Sequence, residues 1–73
     1  MPLSPLPYRE VKRRLEAAGF AEVGQKGSHV KFVKQMAVGI RTAIVPRHRE
    51  VAVGTPRSIL RQAALSPEEF EVL

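Results

Sequence analysis

The sequence contains no cysteine and no aspartate. Without cysteine, disulfide bonds and thiolate metal sites are excluded, and nothing indicates an oxidising compartment. No apolar run approaches the roughly 18 residues that a membrane-spanning helix needs, and the N-terminus lacks the apolar segment of a signal peptide. We therefore expect a cytoplasmic protein that has no membrane association.

The missing aspartates also narrow the chemistry that the chain can perform. Nucleases that depend on Mg²⁺ hold the ion with clusters of carboxylates. All seven acidic residues are glutamates, and three of them lie in the last six residues. The other four are separated along the chain: Glu10, Glu16, Glu22 and Glu50. We therefore expect neither a metal site nor a cofactor.

The size and charge of the chain suggest one small basic domain. Its 73 residues are 44% hydrophobic, enough for one modest core near the lower size limit for independent folding. We predict a single domain over residues 1–73, with a proline-rich lead-in over 1–7 and a short acidic helix over 66–73. Twelve lysines and arginines give a net charge of +5. Such a charge is typical of proteins that contact nucleic-acid phosphates, although it can also serve solubility alone.

Three helices are predicted. Apolar residues at helical spacing predict the first over residues 8–18, and Gly19 is suited to its C-terminal cap. Thr55, followed by a proline, predicts the start of the second. Ser66 and Glu69 have the spacing of a capping box, which predicts a short third helix.

Between the first two helices, three runs of β-forming residues are separated by turn signals. The predicted strands cover residues 20–26, 29–35 and 40–46, with a possible irregularity at Gly24. Residues 47–53 have no clear period and are predicted to form a loop. The order α-β-β-β-α predicts an α+β fold, in which helices cover one face of a three-stranded antiparallel sheet and leave the other to water.

Alternation along the second predicted strand separates its side chains into two faces. Phe32 is the bulkiest side chain and should point toward the helices together with Val30, so His29 and Lys31 should face water. On the third strand, one set of side chains is predicted to point toward the core: Ile40, Thr42 and Ile44. The other set is predicted to face water: Arg41, Ala43 and Val45.

The predicted open face offers groups that could cleave RNA without a metal. Such cleavage requires a base for the 2′-hydroxyl proton, an acid for the leaving 5′-oxygen and cations for the phosphate. Imidazole suits the base role because its ordinary pKa of about 6.5 leaves much of it neutral at physiological pH. His29 is the candidate base. Lys26 and Lys31 are candidate RNA ligands, as are Gly27 and Ser28 through their backbone amides.

Three further residues are candidates for RNA contact. Arg41 is predicted to lie on the open face, and Arg47 and His48 follow the third strand. His48 could instead be a second acid or base. The alternative for each is an inert, solvated side chain, and an exposed histidine beside lysines is more often inert than catalytic.

Several short patterns occur together along the chain: a K-G-S-H turn followed by a phenylalanine, a V-P-x-H step, and a G-T-x-R-x-I-L-x-Q-A helix. These three patterns lie in residues 26–32, 44–48 and 54–63, and they follow a stretch from Leu15 to Gly19-Phe20. In this order, over about residues 8–65, they resemble the HicA family (also called YcfA-like) of small mRNA interferase toxins.

The resemblance implies a fold like that of double-stranded-RNA-binding domains. It implies ribosome-independent cleavage of mRNA, with His29 at the position of the family's essential histidine, and a HicB-type antitoxin that covers the active site. Two other interpretations stay open. The chain could be a non-catalytic RNA-binding module or inactive relative that uses the same cations, or an interaction protein whose basic face binds an acidic partner.

Overall fold

The computed structural model describes residues 6–47, 50–51 and 54–73. In chain order the elements are β1 (Leu6–Pro7), α1 (Tyr8–Ala17), β2 (Ala21–Lys26), β3 (His29–Gln35), β4 (Ile40–Pro46), β5 (Glu50–Val51), α2 (Gly54–Ala63) and α3 (Pro67–Glu71). The predicted α-β-β-β-α order is confirmed, and α1 and the three long strands begin and end within one residue of their predicted positions. Helix α2 begins at Gly54, one residue before the predicted cap Thr55, and α3 is shorter than the predicted range of 66–73.

The main sheet has the strand order β2-β3-β4, and both pairings are antiparallel. The register between β2 and β3 shifts between Glu22 and Gly24, which confirms the predicted irregularity as a β-bulge. Together with the helices, this sheet gives a small α+β domain consistent with the fold of double-stranded-RNA-binding domains. The short strands β1 and β5 form a separate antiparallel pair, which the sequence does not predict because two-residue strands carry no period.

The core lies between the helices and one face of the sheet. From α1 the fully buried side chains are Val11 and Leu15, as the helical spacing predicts, and β3 contributes Phe32 at 0% exposure. The core residues together are Val11, Leu15, Phe20, Val30, Phe32, Ala43, Val45, Ile59, Leu60, Ala63 and Phe70. We call the sheet surface that packs on this core the helix face.

The C-terminal end of α1 explains how the chain turns from helix to sheet. Gly19 has a φ of +102°, a left-handed conformation that favours glycine. Its amide donates to the carbonyl oxygen of Glu16, and the amide of Phe20 donates to that of Leu15 at 2.9 Å. This is the Schellman arrangement, with Phe20 and Leu15 both buried. The predicted cap at Gly19 is therefore confirmed.

The prediction for the two faces of β4 is wrong. Ala43 and Val45 are fully buried, whereas Ile40 is 69% and Ile44 is 36% exposed. Cross-strand pairing gives the reason, because Phe32 lies opposite Ala43 on the helix face. A large ring is best packed opposite a small side chain, so the register that buries Phe32 turns the isoleucines outward.

The C-terminal helix α3 is anchored at both ends. The Glu69 amide donates to Ser66 Oγ at 3.0 Å, and the Ser66 amide donates to Glu69 Oε1 at 2.8 Å. These bonds form the predicted capping box and lower the pKa of Glu69. Phe70 is buried beneath the Arg14 guanidinium, which lies 5.0 Å from the ring centroid. The short acidic helix is therefore part of the folded domain.

Candidate functional site

Strand pairing arranges the side chains opposite the helix face into rows across the sheet. We call this surface the open face; it consists of Ala21, Gly24, Lys26, His29, Lys31, Val33, Gln35, Ile40, Thr42, Ile44 and Pro46. None of these residues is fully buried. The row at the end of the sheet is Lys26, His29 and Pro46, and the next row is Gly24, Lys31 and Ile44. Directly paired side chains have Cβ atoms about 4.5–5.5 Å apart, and the rows are about 7 Å apart.

The turn between β2 and β3 brings His29 to the first position of its strand. Lys26 pairs with His29, so Gly27 and Ser28 form a two-residue hairpin loop. Gly27 has a φ of +59°, whereas Ser28 is not among the residues of positive φ. Positive φ at the first loop position alone is typical of a type II′ turn, which suits the twist of a hairpin. Gly27 is therefore needed for backbone conformation.

A network of side chains holds this turn. The Gln25 side-chain amide donates to the carbonyl oxygen of Gly27 at 2.8 Å, and its oxygen accepts from Arg47 Nη1 at 3.1 Å. The Arg47 backbone amide also donates to the carbonyl oxygen of Ser28. The Arg47 guanidinium lies 5.6 Å from the centroid of the Tyr8 ring. The backbone that carries His29 is thus fixed from β2 and from the end of β4.

A groove opens on the sheet surface beside His29. It has a volume of about 380 Å³ and is lined by Gly24, Gln25, Lys26, His29, Lys31 and Ile44. The residue without a side chain, Gly24, lies directly opposite Lys31, and Ile44 flanks Lys31 on the other side. The lining therefore combines an aliphatic residue and a glycine, Ile44 and Gly24, which we call the floor, with two lysines and a histidine, which we call the rim.

The cations of the open face differ electrostatically from those of α1. On α1, Arg13 and Arg14 contact the Glu10 carboxylate at 2.6 and 3.1 Å, and Lys12 contacts Glu22 at 3.1 Å. Hydrogen bonds from Arg13 and then Arg14 lower the pKa of Glu10 to about 2. Within the described residues, no carboxylate pairs with the lysines of the open face. Their charge is therefore available to a ligand.

The structure brings most of the predicted site residues together. Lys26, Gly27, Ser28, His29 and Lys31 all lie in the hairpin of β2 and β3 and in the two rows beside it. These residues form a continuous surface at one end of the sheet.

Two of the predicted ligands are placed differently, and one lies outside the described residues. Arg41 points to the helix side, where its Nη1 donates to the carbonyl oxygen of Gln62 at 3.2 Å, near the C-terminal end of α2. It is therefore not part of the group around His29. The guanidinium of Arg47 lies against Gln25 and Tyr8 at the edge of the turn. His48 is outside the part of the chain that the structure describes.

Sequence reasoning missed Gly24, Gln25 and Ile44 as site residues. The sequence shows Gly24 only as a break in a strand pattern, and Ile44 as a residue suited to the core. Both reach the groove through pairing with Lys31, which depends on the register across a bulge. For Gly24 a signal exists, because it lies two residues before Lys26 and residues i and i+2 of a strand share a face.

The described residues contain neither a metal-binding cluster nor a membrane-spanning helix. Among residues 6–47, 50–51 and 54–73, no three histidine or carboxylate side chains form a cluster that could hold a metal ion. None of the helices in that part of the chain is long and apolar enough to span a membrane.

The fold and the open basic face define a small α+β domain with a surface suited to an anionic ligand. A family model described as the HicA toxin of bacterial toxin–antitoxin systems matches residues 8–65, most of the chain. The comparison with curated proteins gives no match. The chain belongs to the HicA toxin family, and its role is that of a toxin whose partner is an antitoxin.

Proposed function

We propose that this toxin is an endoribonuclease that cleaves mRNA with His29 as the general base. The observation that carries the proposal is the position of His29 on the open face. The imidazole is exposed, lies opposite Lys26 and is followed on the same face by Lys31. This combination of a base and free cations is what phosphodiester cleavage through the 2′-hydroxyl requires.

In the proposed reaction, neutral His29 removes the proton from the 2′-hydroxyl. The 2′-oxygen forms a bond to phosphorus while the bond from phosphorus to the 5′-oxygen breaks. The departing 5′-oxygen takes up a proton, which water can supply at this solvent-exposed face. The products are a 2′,3′-cyclic phosphate and a 5′-hydroxyl, and no metal ion takes part.

The remaining candidates have separate proposed roles. Lys26 and Lys31 hold the phosphate and stabilise the charge that develops on it. The backbone amides of Gly27 and Ser28 are additional donors at the same end of the sheet. The position of Arg47 between Gln25 and Tyr8 supports a role in holding the turn. His48 stays a prediction as a second acid or base.

The test compares wild-type protein with His29→Ala on a structured RNA, with and without EDTA. We expect the wild type to cleave equally in both conditions and to leave 2′,3′-cyclic phosphate ends. His29→Ala should be folded and inactive. Gln35→Ala is the matched control, because Gln35 lies on the same face of β3, about 20 Å further along the strand.

The outcomes of this test separate the interpretations. Cleavage that survives in His29→Ala would show that another group is the base. RNA binding without cleavage by the wild type would favour a non-catalytic RNA-binding module. Loss of activity in EDTA would instead indicate that a metal ion takes part.

We also propose that a HicB-type antitoxin covers the open face. Ile40 is 69% exposed at the end of β4 far from His29, and Ile44 is 36% exposed beside the groove. Exposed apolar side chains on a surface that also carries cations are typical of a protein interface. Ile40→Asp should weaken the complex with the antitoxin and leave RNA cleavage intact. Equal antitoxin affinity for the wild type and Ile40→Asp would place the interface elsewhere.

A further inference from the structure

The groove beside His29 has two kinds of surface in one small space. Its floor is the aliphatic side chain of Ile44 and the bare backbone at Gly24, and its rim carries His29, Lys26 and Lys31. An anion alone would need only the rim, and an apolar ligand would need only the floor. A ligand that fits the whole groove has a flat apolar part joined to a phosphate.

The size of the groove limits this ligand to a single unit of a nucleic acid. Its volume of about 380 Å³ is near the lower end of the range of small-molecule sites, about 300–1,000 Å³. Duplex RNA is recognised over many base pairs and presents phosphates and 2′-hydroxyls, because its base faces are stacked inside the helix. An unpaired nucleotide exposes a base face and a phosphate together.

We propose that the groove binds the base of one unpaired nucleotide, with Gly24 as the residue that keeps the groove open. This proposal rests on the proposed function, because it names the form of RNA that the same site accepts. The base lies over Ile44 and Gly24, and the adjoining phosphate lies at the lysines near His29. The site thus selects unpaired RNA through the shape of the sheet surface.

Gly24 permits a direct test because glycine is not required there by the fold. An ideal Cβ at this position has no heavy atom within 4 Å, and the φ of Gly24 is outside the left-handed region. A leucine at position 24 would therefore point into the groove without meeting the core. Ala21→Leu is the matched control, since Ala21 is exposed on the same face of β2, opposite Val33 and outside the groove.

The experiment measures binding with non-cleaving His29→Gln protein, so it does not depend on catalysis. The RNA is a short unpaired oligonucleotide in which an abasic residue is moved one position at a time, and its perfectly paired duplex serves for comparison. We expect Gly24→Leu to weaken binding of the unpaired RNA by about fivefold to tenfold, in the range of one base contact. Ala21→Leu should bind like its parent, and the duplex should be insensitive to Gly24→Leu.

The decisive result is a double-mutant cycle between protein and RNA. At one position the abasic residue should weaken binding to the parent protein and have no further effect on Gly24→Leu, because both changes remove the same contact. Additive losses at every position would overturn the proposal, as would equal weakening of the duplex. A Gly24→Leu variant that loses antitoxin affinity but keeps RNA affinity would also overturn it and make the groove a protein site. If the His29→Gln protein shows this coupling but the wild type does not cleave RNA, the groove is upheld and the proposed catalysis is refuted.

Discussion

Phe32 and Val45 are fully buried on the helix face of the sheet, whereas Lys31 and Ile44, their chain neighbours, are exposed on the open face. The same two strands therefore serve two purposes at alternate residues. Helix-face positions are fixed by close packing against α1 and α2, so adding or removing one methylene group there changes the stability of the fold. Open-face positions are free of that constraint, so their cations and apolar side chains are available to ligands.

The comparison extends to the charges. The α1 cations Lys12, Arg13 and Arg14 contact carboxylates, and Arg13 also donates to the carbonyl oxygen of Leu73 at 2.9 Å. The lysines of the open face have no carboxylate partner among the residues that the structure describes. The net charge of the chain thus has a part that stabilises the fold and a part that remains for recognition.

The largest effect is expected from breaking the helix face at its centre. Phe32→Ala should lower the free energy of unfolding by about 3–5 kcal/mol, because it removes a ring that is completely buried. That loss approaches the whole stability of a small domain, about 5–15 kcal/mol. Ile44→Ala, on the open face, should lower it by about 1 kcal/mol or less. Urea denaturation followed by circular dichroism measures both, and equal losses would contradict the assignment of the two faces.

The second prediction separates the two groups of cations. Lys26→Ala with Lys31→Ala should weaken RNA binding and reduce the slope of log affinity against log salt by about 1.4, as expected for two lost contacts to single-stranded phosphates. Lys12→Ala with Arg13→Ala removes the same charge but should leave the slope nearly unchanged. Binding titrations between low and moderate salt give both slopes. The same reduction in both double variants would mean that RNA binding depends on net charge and not on the open face.

How far the sequence predicts these faces depends on the strand. In β3 a single aromatic residue, Phe32, marks the face that is buried. The alternation of side chains along the strand then predicts that His29 and Lys31 are exposed, so both results follow from local pattern alone. β4 has apolar residues on both faces, and hydrophobicity favours burying Ile44 over Ala43. The structure does the opposite because the register places Ala43 opposite Phe32. Local sequence does not contain that long-range information.

The candidate site divides in the same way. The K-G-S-H turn is local, and its glycine, its hairpin and the exposed histidine are all predicted. The groove joins Gly24, Lys31 and Ile44, which meet only when three strands pair across a bulge. The contact between Gln25 and Arg47 likewise joins residues 22 positions apart. Such contacts depend on the complete fold, so residue patterns do not predict them.

The third prediction tests how firmly the turn before His29 is held. Gln25→Ala removes the donor to Gly27 and the acceptor for Arg47, and should lower the free energy of unfolding by about 0.5–1 kcal/mol. Amide exchange at residues 27 and 28 should accelerate. In the proposed cleavage reaction kcat should fall while KM changes little, because the lysines remain. Gln25→Glu keeps the acceptor for Arg47, so its free energy of unfolding and its kcat should lie between those of the wild type and of Gln25→Ala.

A matched control shows whether these effects belong to the turn. The side chain of Gln35, at the far end of β3, makes no hydrogen bond within the described residues, so Gln35→Ala should change neither stability nor exchange at the turn. If Gln25→Ala and Gln35→Ala behave alike, the network does not position the hairpin.

The smallest effect is expected from the ion pairs of α1. Hydrogen bonds from Arg13 and Arg14 lower the pKa of Glu10 from 4.5 to about 2 in the folded protein. The stabilisation is therefore complete above about pH 4.5 and is lost as the pH falls toward 2. Glu10→Gln should be slightly less stable than the wild type at pH 7, and the difference should disappear near pH 2. It should also shrink in high salt, since exposed pairs are screened.

The control for this last prediction is Glu16→Gln on the same helix, where the exposed Glu16 carboxylate has no ion pair among the described residues. Its stability should follow that of the wild type from pH 7 to pH 2, because no paired charge is lost. Thermal unfolding of the three proteins at several pH values measures the differences. RNA affinity at pH 7 should be the same for Glu10→Gln and Glu16→Gln, because each removes one negative charge from α1 and neither alters the open face. A stronger gain in RNA affinity for Glu10→Gln would mean that releasing Arg13 and Arg14 creates a second RNA-binding surface.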